Sequence, residues 1–372
     1  MFKEIRNIGE AELTYLYRKN LTQKPILKNL FWETTLRCNA KCKHCGSRAG
    51  EQLKLQEELT AEEIKNTFKS IKEKYDASKI LINITGGEPL VREDLFDVMQ
   101  YASDLGFKWG MTTNGILISD SVIEKMKATK MGTISISIDG LEKTHDDFRG
   151  VPGSYEKIMQ NIKKLREANF LYCLQVTTVV SKSSINELEE LYGIMKDLKI
   201  DSWRVVNMDP IGRANDNSSI ALNTNDYKKL IDFIKEKRKH SKLDVTYGCS
   251  HFLGMENERA VRQHSFFCNT GYEVASILYN GDIFVCPNVP RIKELIQGNI
   301  RKDDFVDVWE NKFKWFRNED RQKCEDCEKC EDYKYCKGDS LHTWNFEENK
   351  PNLCLNKILK GGWKIRLKKY LD

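Results

Sequence analysis

The sequence predicts an α/β protein, a parallel sheet either open or curved into a barrel, followed by a small cysteine-rich C-terminal domain. Three observations carry this. Between residues 30 and 208 six apolar strand patterns alternate with five helix patterns, and helix-length crossovers join parallel neighbours. Short polar motifs fall where the strands end, the place where such sheets bind ligands. From about residue 245 the alternation stops, and eight of the 12 cysteines lie between 249 and 354.

Residues 1–29 carry little pattern beyond Tyr15, Leu16 and Tyr17, which suggest a short packed element. Leu30–Thr35 reads as a strand that feeds the first cysteine group. Thr60-Ala-Glu-Glu63 is a capping box and opens a helix to about Tyr75. Lys79–Thr85 is an apolar run suited to a buried parallel strand. Helix spacing over Asp94–Leu105, Asp120–Ala128, Ser154–Ala168 and Ile185–Leu198 alternates with strands at Lys108–Thr113, Gly132–Ile138, Leu171–Val180 and Ser202–Met208. Residues 212–226 read as a linker rich in Gly, Asn and Ser, and Tyr227–His240 as a charged helix. The expected division is an extension at 1–29, the α/β unit at 30–215, a linker and bridging helix at 216–244, a cysteine-rich domain at 245–355 and a basic tail at 356–372.

With 372 residues, 40% apolar and 31% charged, the chain reads as globular. A net charge of +5 gives no argument for nucleic acid. No run approaches the roughly 18 apolar residues of a membrane span. The first residues, Met1-Phe2-Lys3-Glu4-Ile5-Arg6, lack the apolar segment of a secretion signal, so a cytoplasmic location is expected. Structural disulfides are rare there, which turns the cysteines toward metal binding.

Cys38, Cys42 and Cys45 are spaced C-x3-C-x2-C. A loop this tight can aim three thiolates at one compact inorganic cluster. Three ligands on four irons leave one iron open, as a catalytic zinc keeps an open position. Half of a zinc site is the alternative, and no fourth nearby thiol completes it. His44 lies between two of the cysteines and is expected to pack beside the cluster.

This segment resembles the cluster loop of radical S-adenosylmethionine (SAM) enzymes, with His44 at the place that is usually aromatic. The resemblance implies a partial (β/α)6 barrel. It also implies a [4Fe-4S] cluster whose open iron chelates SAM, and reductive cleavage of SAM to a 5′-deoxyadenosyl radical that takes hydrogen from substrate. Gly86-Gly87-Glu88-Pro89 then resembles the motif for the SAM amino group, with the Glu88 carboxylate as acceptor. The resemblance implies that Asn114 lines the SAM pocket, with an ordinary Asn-Gly turn as the alternative, that Ser137 and Asp139 lie near the SAM ribose and carboxylate, and that Arg149 neutralises a carboxylate, with a surface arginine as the alternative. Thr178 lies on the strand that holds adenine. Asp139, Asp209 and Glu273 are base candidates by placement alone.

The C-terminal cysteines resemble a SPASM domain. Cys268-x12-Gly281-x4-Cys286 is a hairpin-like stretch turning at Asn280-Gly281, and Cys327, Cys330, Cys336 and Cys354 match in spacing. Ser340 stands where the pattern has a cysteine. Two auxiliary [4Fe-4S] clusters are expected, one on Cys249, Cys268, Cys286 and Cys324 and one on Cys327, Cys330, Cys336 and Cys354. The first has two alternatives, an open iron or a two-iron cluster, and zinc remains the alternative for the whole domain.

The reading that follows is a radical SAM enzyme that oxidises or crosslinks a short ribosomally made precursor peptide through a C–C, ether or thioether bond. Formylglycine formation in a sulfatase is a narrower form of it. The alternative substrate is a small molecule such as a haem precursor, oxidised or decarboxylated. A zinc-ribbon binding module is the non-enzyme alternative, and it leaves Gly86–Glu88 without a use. Expected partners are the peptide and an electron donor such as flavodoxin or ferredoxin, with neither nucleic acid nor membrane.

Overall fold

The computed structural model describes residues 2–51, 57–248 and 251–361. The chain opens with α1 (Phe2–Gln23), then β1 (Asn29–Glu33), α2 (Ala61–Lys74), β2 (Leu81–Thr85), α3 (Leu95–Asp104), β3 (Lys108–Thr113), α4 (Asp120–Ala128) and β4 (Thr133–Ser137). It continues with α5 (Glu142–Arg149), α6 (Ser154–Ala168), β5 (Cys173–Val180), α7 (Leu188–Asp197), β6 (Ser202–Asn207), α8 (Arg213–Asp216), α9 (Thr224–His240) and β7 (Asp244–Tyr247). Then come α10 (Met255–Val261), β8 (Val274–Ile277), β9 (Asp282–Phe284) and β10 (Gly298–Asn299).

The strands form one sheet in the order β10-β9-β8-β1-β2-β3-β4-β5-β6-β7. From β8 across to β7 every pairing is parallel; β9 and β10 add antiparallel strands at one edge. The fold is therefore α/β with a mostly parallel sheet, as the alternating pattern implies. Period-two burial separates its two faces. Trp32, Ile82, Ile84, Trp109, Ile134, Val176 and Trp203 are buried beneath the helices, where they meet Ile64, Phe68 and Ile71 of α2 and their counterparts. Each such side chain contributes about 1.5–3 kcal/mol of burial. The positions between them turn to the other face and are largely polar: Asn83, Thr112, Ser135, Thr177 and Arg204.

The Thr60 capping box is formed, with Thr60 accepting from the Glu63 amide at 3.2 Å and Glu63 accepting from the Thr60 amide at 2.8 Å. Three features differ from the sequence reading. The N-terminal segment is a helix of 22 residues rather than a short element. It docks through polar contacts, with Arg18 donating to the carbonyls of Tyr335 and Lys334 and Glu10 paired to Arg259, and it leaves Leu13 and Leu16 exposed. Docking of that kind leaves no apolar stripe to read. A short helix, α5, occupies the loop after β4. Finally, β7 and β8 extend the parallel sheet on its two sides, and β8 pairs with β1 itself. The expected hairpin is present, with β8 and β9 antiparallel across a turn that ends at Gly281.

Among the described residues no helix is long and apolar enough to cross a membrane. The basic tail from residue 362 lies outside the described residues.

Candidate active site

The loop carrying Cys38, Cys42 and Cys45 follows β1 and is held from three sides. Gly50 donates to the Leu36 carbonyl at 2.9 Å and closes it. The end of α5 receives it, with the Lys41 and Lys43 amides donating to the carbonyls of Arg149 and Phe148. Arg213, after β6, donates its amide to the Cys45 carbonyl at 3.0 Å and Nε to the Cys42 carbonyl at 2.8 Å. Gly212 makes that approach possible, since a Cβ there would lie 2.4 Å from the Cys45 and Gly46 carbonyl oxygens. His44 is half-buried and stacks on Phe148 with centroids 4.4 Å apart. Burial lowers its pKa to about 3, so the ring is neutral packing.

The three thiols are free, and each lies within electrostatic reach of its neighbours. Burial, with smaller contributions from Cys42, Glu88 and Cys45, pushes the Cys38 thiol up to about 11. Thiolates crowded in this way require a cationic centre, which is what a cluster supplies. This donor set fits an iron–sulfur cluster held by Cys38, Cys42 and Cys45.

Around the loop the ends of the second to fifth strands interlock. Gly87 donates to the Thr35 carbonyl at 2.8 Å, and Glu88 to that of Arg37 at 3.0 Å. A Cβ on Gly87 would lie 2.3 Å from the Arg37 oxygen, so this glycine serves the contact between GGEP and the cysteine loop. Gly86 lies in the same turn, and Pro89 begins a short 3-10 turn. Glu88 is held in place by the protein itself. Its carboxylate is fully buried and accepts from Thr113 Oγ1 at 2.7 Å, the Asn114 amide at 2.8 Å and the Leu90 amide at 3.2 Å. Three of its roughly four acceptor sites are taken from within the protein, which leaves one on Oε2 for a ligand ammonium beside the backbone carbonyls of this turn. Asn114 joins the same unit, donating Nδ2 to Asn39 Oδ1 at 2.7 Å.

Ser137 closes β4 opposite Thr177. Asp139, two residues on, is fully buried, accepts from the Val179 amide at 2.8 Å and pairs with Arg149 Nε at 2.5 Å. Burial would raise its pKa, but Arg149, with His44 and His145, holds it below the usual range. A paired, depressed carboxylate is a poor base, and Asp139 is corrected to an anchor for Arg149. The Thr178 side chain sits on the helix-facing side of β5, where it donates to the Ile138 carbonyl at 2.6 Å and accepts from Trp203 Nε1 at 2.8 Å, so a contact to adenine from this residue would come from its backbone. Its neighbour Thr177 faces the inner side.

Asp209 follows β6 and is bound on every side. Oδ1 accepts from Asn207 at 2.7 Å and meets His251 Nε2 at 2.8 Å, and Oδ2 lies 3.4 Å from His342 Nε2. Its pKa is lowered against the opposing effect of burial, chiefly by His251, so it too is no base. Glu273 is remote. Its backbone carbonyl accepts from Lys28 and Asn29 at the amino end of β1, and its carboxylate meets Tyr17 and Lys28, each at 2.5 Å. The strand ends that carry the cysteine loop are opposite, so Glu273 anchors α1.

On the inner face Ser135 and Thr177 share a hydrogen bond of 2.7 Å, and Arg204 Nε donates to Thr177 Oγ1 at 3.1 Å. No carboxylate pairs with Arg204 among the described residues. The Ile211-Gly212-Arg213-Ala214 turn resembles the family at the end of the sixth strand, and the roles of Asn39, His251 and His342 have no such local signal.

In the C-terminal region Cys327, Cys330, Cys336 and Cys354 lie within electrostatic reach of one another, and burial leads the rise of Cys354 to about 12. Cys249 lies outside the described residues. The placement of Cys324 with Cys268 and Cys286 is corrected, because its sulfur lies 3.1 Å from that of Cys327. The turn Glu325–Glu328 begins at Cys324, and one helical turn brings residues three apart together. Beside Cys268 stands the Ser340–Leu341 segment, whose Leu341 amide donates to Cys268 Sγ at 3.5 Å.

A family profile described as the radical SAM superfamily matches residues 32–194, and one described as an iron–sulfur cluster-binding domain, SPASM, matches 268–331. An AdoMet-dependent heme synthase of Methanosarcina barkeri is 30% identical over 306 residues, which is 78% of this chain and 84% of that protein. The mycofactocin maturase of Mycolicibacterium smegmatis is 28% identical, covering 76% and 70%. Among solved structures, Streptococcus suis SuiB bound to S-adenosylmethionine has a TM-score of 0.67 at 20% identity, over 84% of this chain and 73% of that one. The structure of anSMEcpe with AdoMet and a peptide has a TM-score of 0.68 at 20% identity, over 92% and 97%, and both likenesses are of fold. The chain belongs to the radical SAM superfamily, in its SPASM-domain subgroup, and is an enzyme whose cofactors are SAM, a [4Fe-4S] cluster and auxiliary iron–sulfur clusters.

Proposed function

We propose that the enzyme oxidises a carboxylated small molecule of the haem-precursor class, a tetrapyrrole, with loss of side-chain carboxylate as CO2. The carrying observation is Arg204. It is a half-buried guanidinium on the inner face, oriented by Thr177 and without a carboxylate partner among the described residues. Such a group is suited to bind and orient a substrate carboxylate. When bound, the cluster and SAM would supply a carbon radical that removes one hydrogen atom from substrate, and an auxiliary iron–sulfur cluster would accept the electron left when CO2 departs. Arg204 would hold the carboxylate in register for that event, with the Ser135–Thr177 pair fixing the guanidinium. The relatives named AdoMet-dependent heme synthase support the same substrate class, in M. barkeri and, at 28% identity, in Nitratidesulfovibrio vulgaris. The expected preference for peptide thus becomes the second reading, favoured by the maturase likeness. A low-potential one-electron donor of the flavodoxin or ferredoxin class is the proposed redox partner.

The test is anaerobic incubation of the reconstituted, reduced enzyme with SAM and an iron porphyrin bearing propionate groups. Mass spectrometry should find products lighter by CO2 and two hydrogens per carboxylate lost. Arg204→Leu should raise KM at least tenfold for that substrate while basal SAM cleavage continues. Turnover of a precursor peptide with no porphyrin product would establish the second reading instead.

A further inference from the structure

Two nitrogens of the Arg149 guanidinium reach different elements. Nε donates to Asp139 Oδ2 at 2.5 Å, and Nη1 lies 3.6 Å from Cys42 Sγ, within range of an N–H···S hydrogen bond. The side chain is 11% exposed and its carboxylate partner is fully buried. The backbone is fixed as well. The Arg149 carbonyl accepts from the Lys41 amide, and Gly150, at φ 68°, ends the helix beside the Lys41 carbonyl. Cys45 has a neutral neighbour instead, the Ser47 hydroxyl at 3.5 Å. Among the described residues, Cys42 is thus the member of the trio that faces a guanidinium.

We propose that Arg149 is a positioning residue that sets the reduction potential of the N-terminal cluster by hydrogen-bonding the Cys42 thiolate, with Asp139 as its fixed holder. Reduction adds one electron, drawn from a low-potential one-electron donor, and increases the negative charge shared by cluster and thiolates. A cationic N–H aimed at one sulfur favours that reduced state over the oxidised one, and hydrogen bonds to sulfur are among the determinants of cluster potential. Asp139 makes the pair neutral at a distance, so the effect is local to Cys42. The inference rests on the cluster, whatever the substrate.

The test is an EPR-monitored redox titration of the reconstituted holoenzyme, following the signal that shifts when SAM is added. In Arg149→Met the ratio of reduced to oxidised cluster at a fixed potential should fall about tenfold, a downward shift of about 59 mV for one electron. Arg149→Lys should fall less, because one ammonium keeps the charge but cannot reproduce the fork. An unchanged midpoint in Arg149→Met with full iron content would overturn the proposal. Should that variant lose its iron, Asp139→Asn decides. Removing the countercharge while keeping the guanidinium should move the midpoint upward, and a midpoint that falls or stays would reject the assignment.

Discussion

His251 Nε2 lies 2.8 Å from Asp209 Oδ1, and this contact fastens the segment after β7 to the end of β6. The other ring nitrogen lies 2.8 Å from Asp339 Oδ2, so one buried imidazole spans two carboxylates. Burial alone would lower its pKa, but Asp339 and Asp209 raise it to about 10. A raised pKa means that the folded state holds the proton more tightly. The resulting stability is complete below about pH 6.5, the ordinary value for histidine, and is lost as pH rises toward 10. Chemical denaturation of the holoenzyme should therefore show a falling midpoint between pH 7 and pH 10. His251→Leu should remove that dependence and cost about 3–5 kcal/mol, because the buried Asp339 and the half-buried Asp209 lose the cation between them. A flat pH profile in the unaltered protein would contradict the assignment.

Glu88 makes a prediction about stability before ligand affinity. Its carboxylate satisfies Thr113 and two backbone amides in a fully buried position. Glu88→Ala leaves those donors unpaired, at about 1–3 kcal/mol each. Thermal denaturation should show the loss without SAM present, and equilibrium dialysis should show weaker SAM binding as its consequence. Normal thermal stability with weak SAM binding would point back to a direct contact by the side chain.

Gly212→Ala should damage a site that it does not enter. The residue has φ 58° and stands against the carbonyls of Cys45 and Gly46. The added methyl must push the cysteine loop away from Arg213. Iron content of the N-terminal cluster should drop while the C-terminal clusters persist, as read by iron analysis and EPR.

Replacing Cys38, Cys42 and Cys45 together by alanine should remove about four irons per chain, the content of one cubane. SAM cleavage, followed as 5′-deoxyadenosine, should disappear. Cleavage that persists would refute the assignment of the catalytic cluster to this loop.

The alternation of strands and helices was legible because each parallel strand is an apolar run bounded by its own punctuation. The helices α4 and α6 and strand β3 lie where their sequence patterns placed them. The cysteine spacings and GGEP were legible because a cluster loop and a tight backbone approach impose local residue types. The sequence by itself thus determined the fold class, the family chemistry and the three-cysteine loop proposed to carry the N-terminal cluster. Tertiary structure alone decided which acidic groups were available. Asp139, Asp209 and Glu273 all looked free in the chain, and each is bound by a partner 10 to more than 200 residues away. The same holds for Arg149 at Cys42, 107 residues apart, and for the pairing of β8 with β1. Charge neutralisation and sheet edges depend on which distant groups folding brings within a few ångströms, and no local pattern records that.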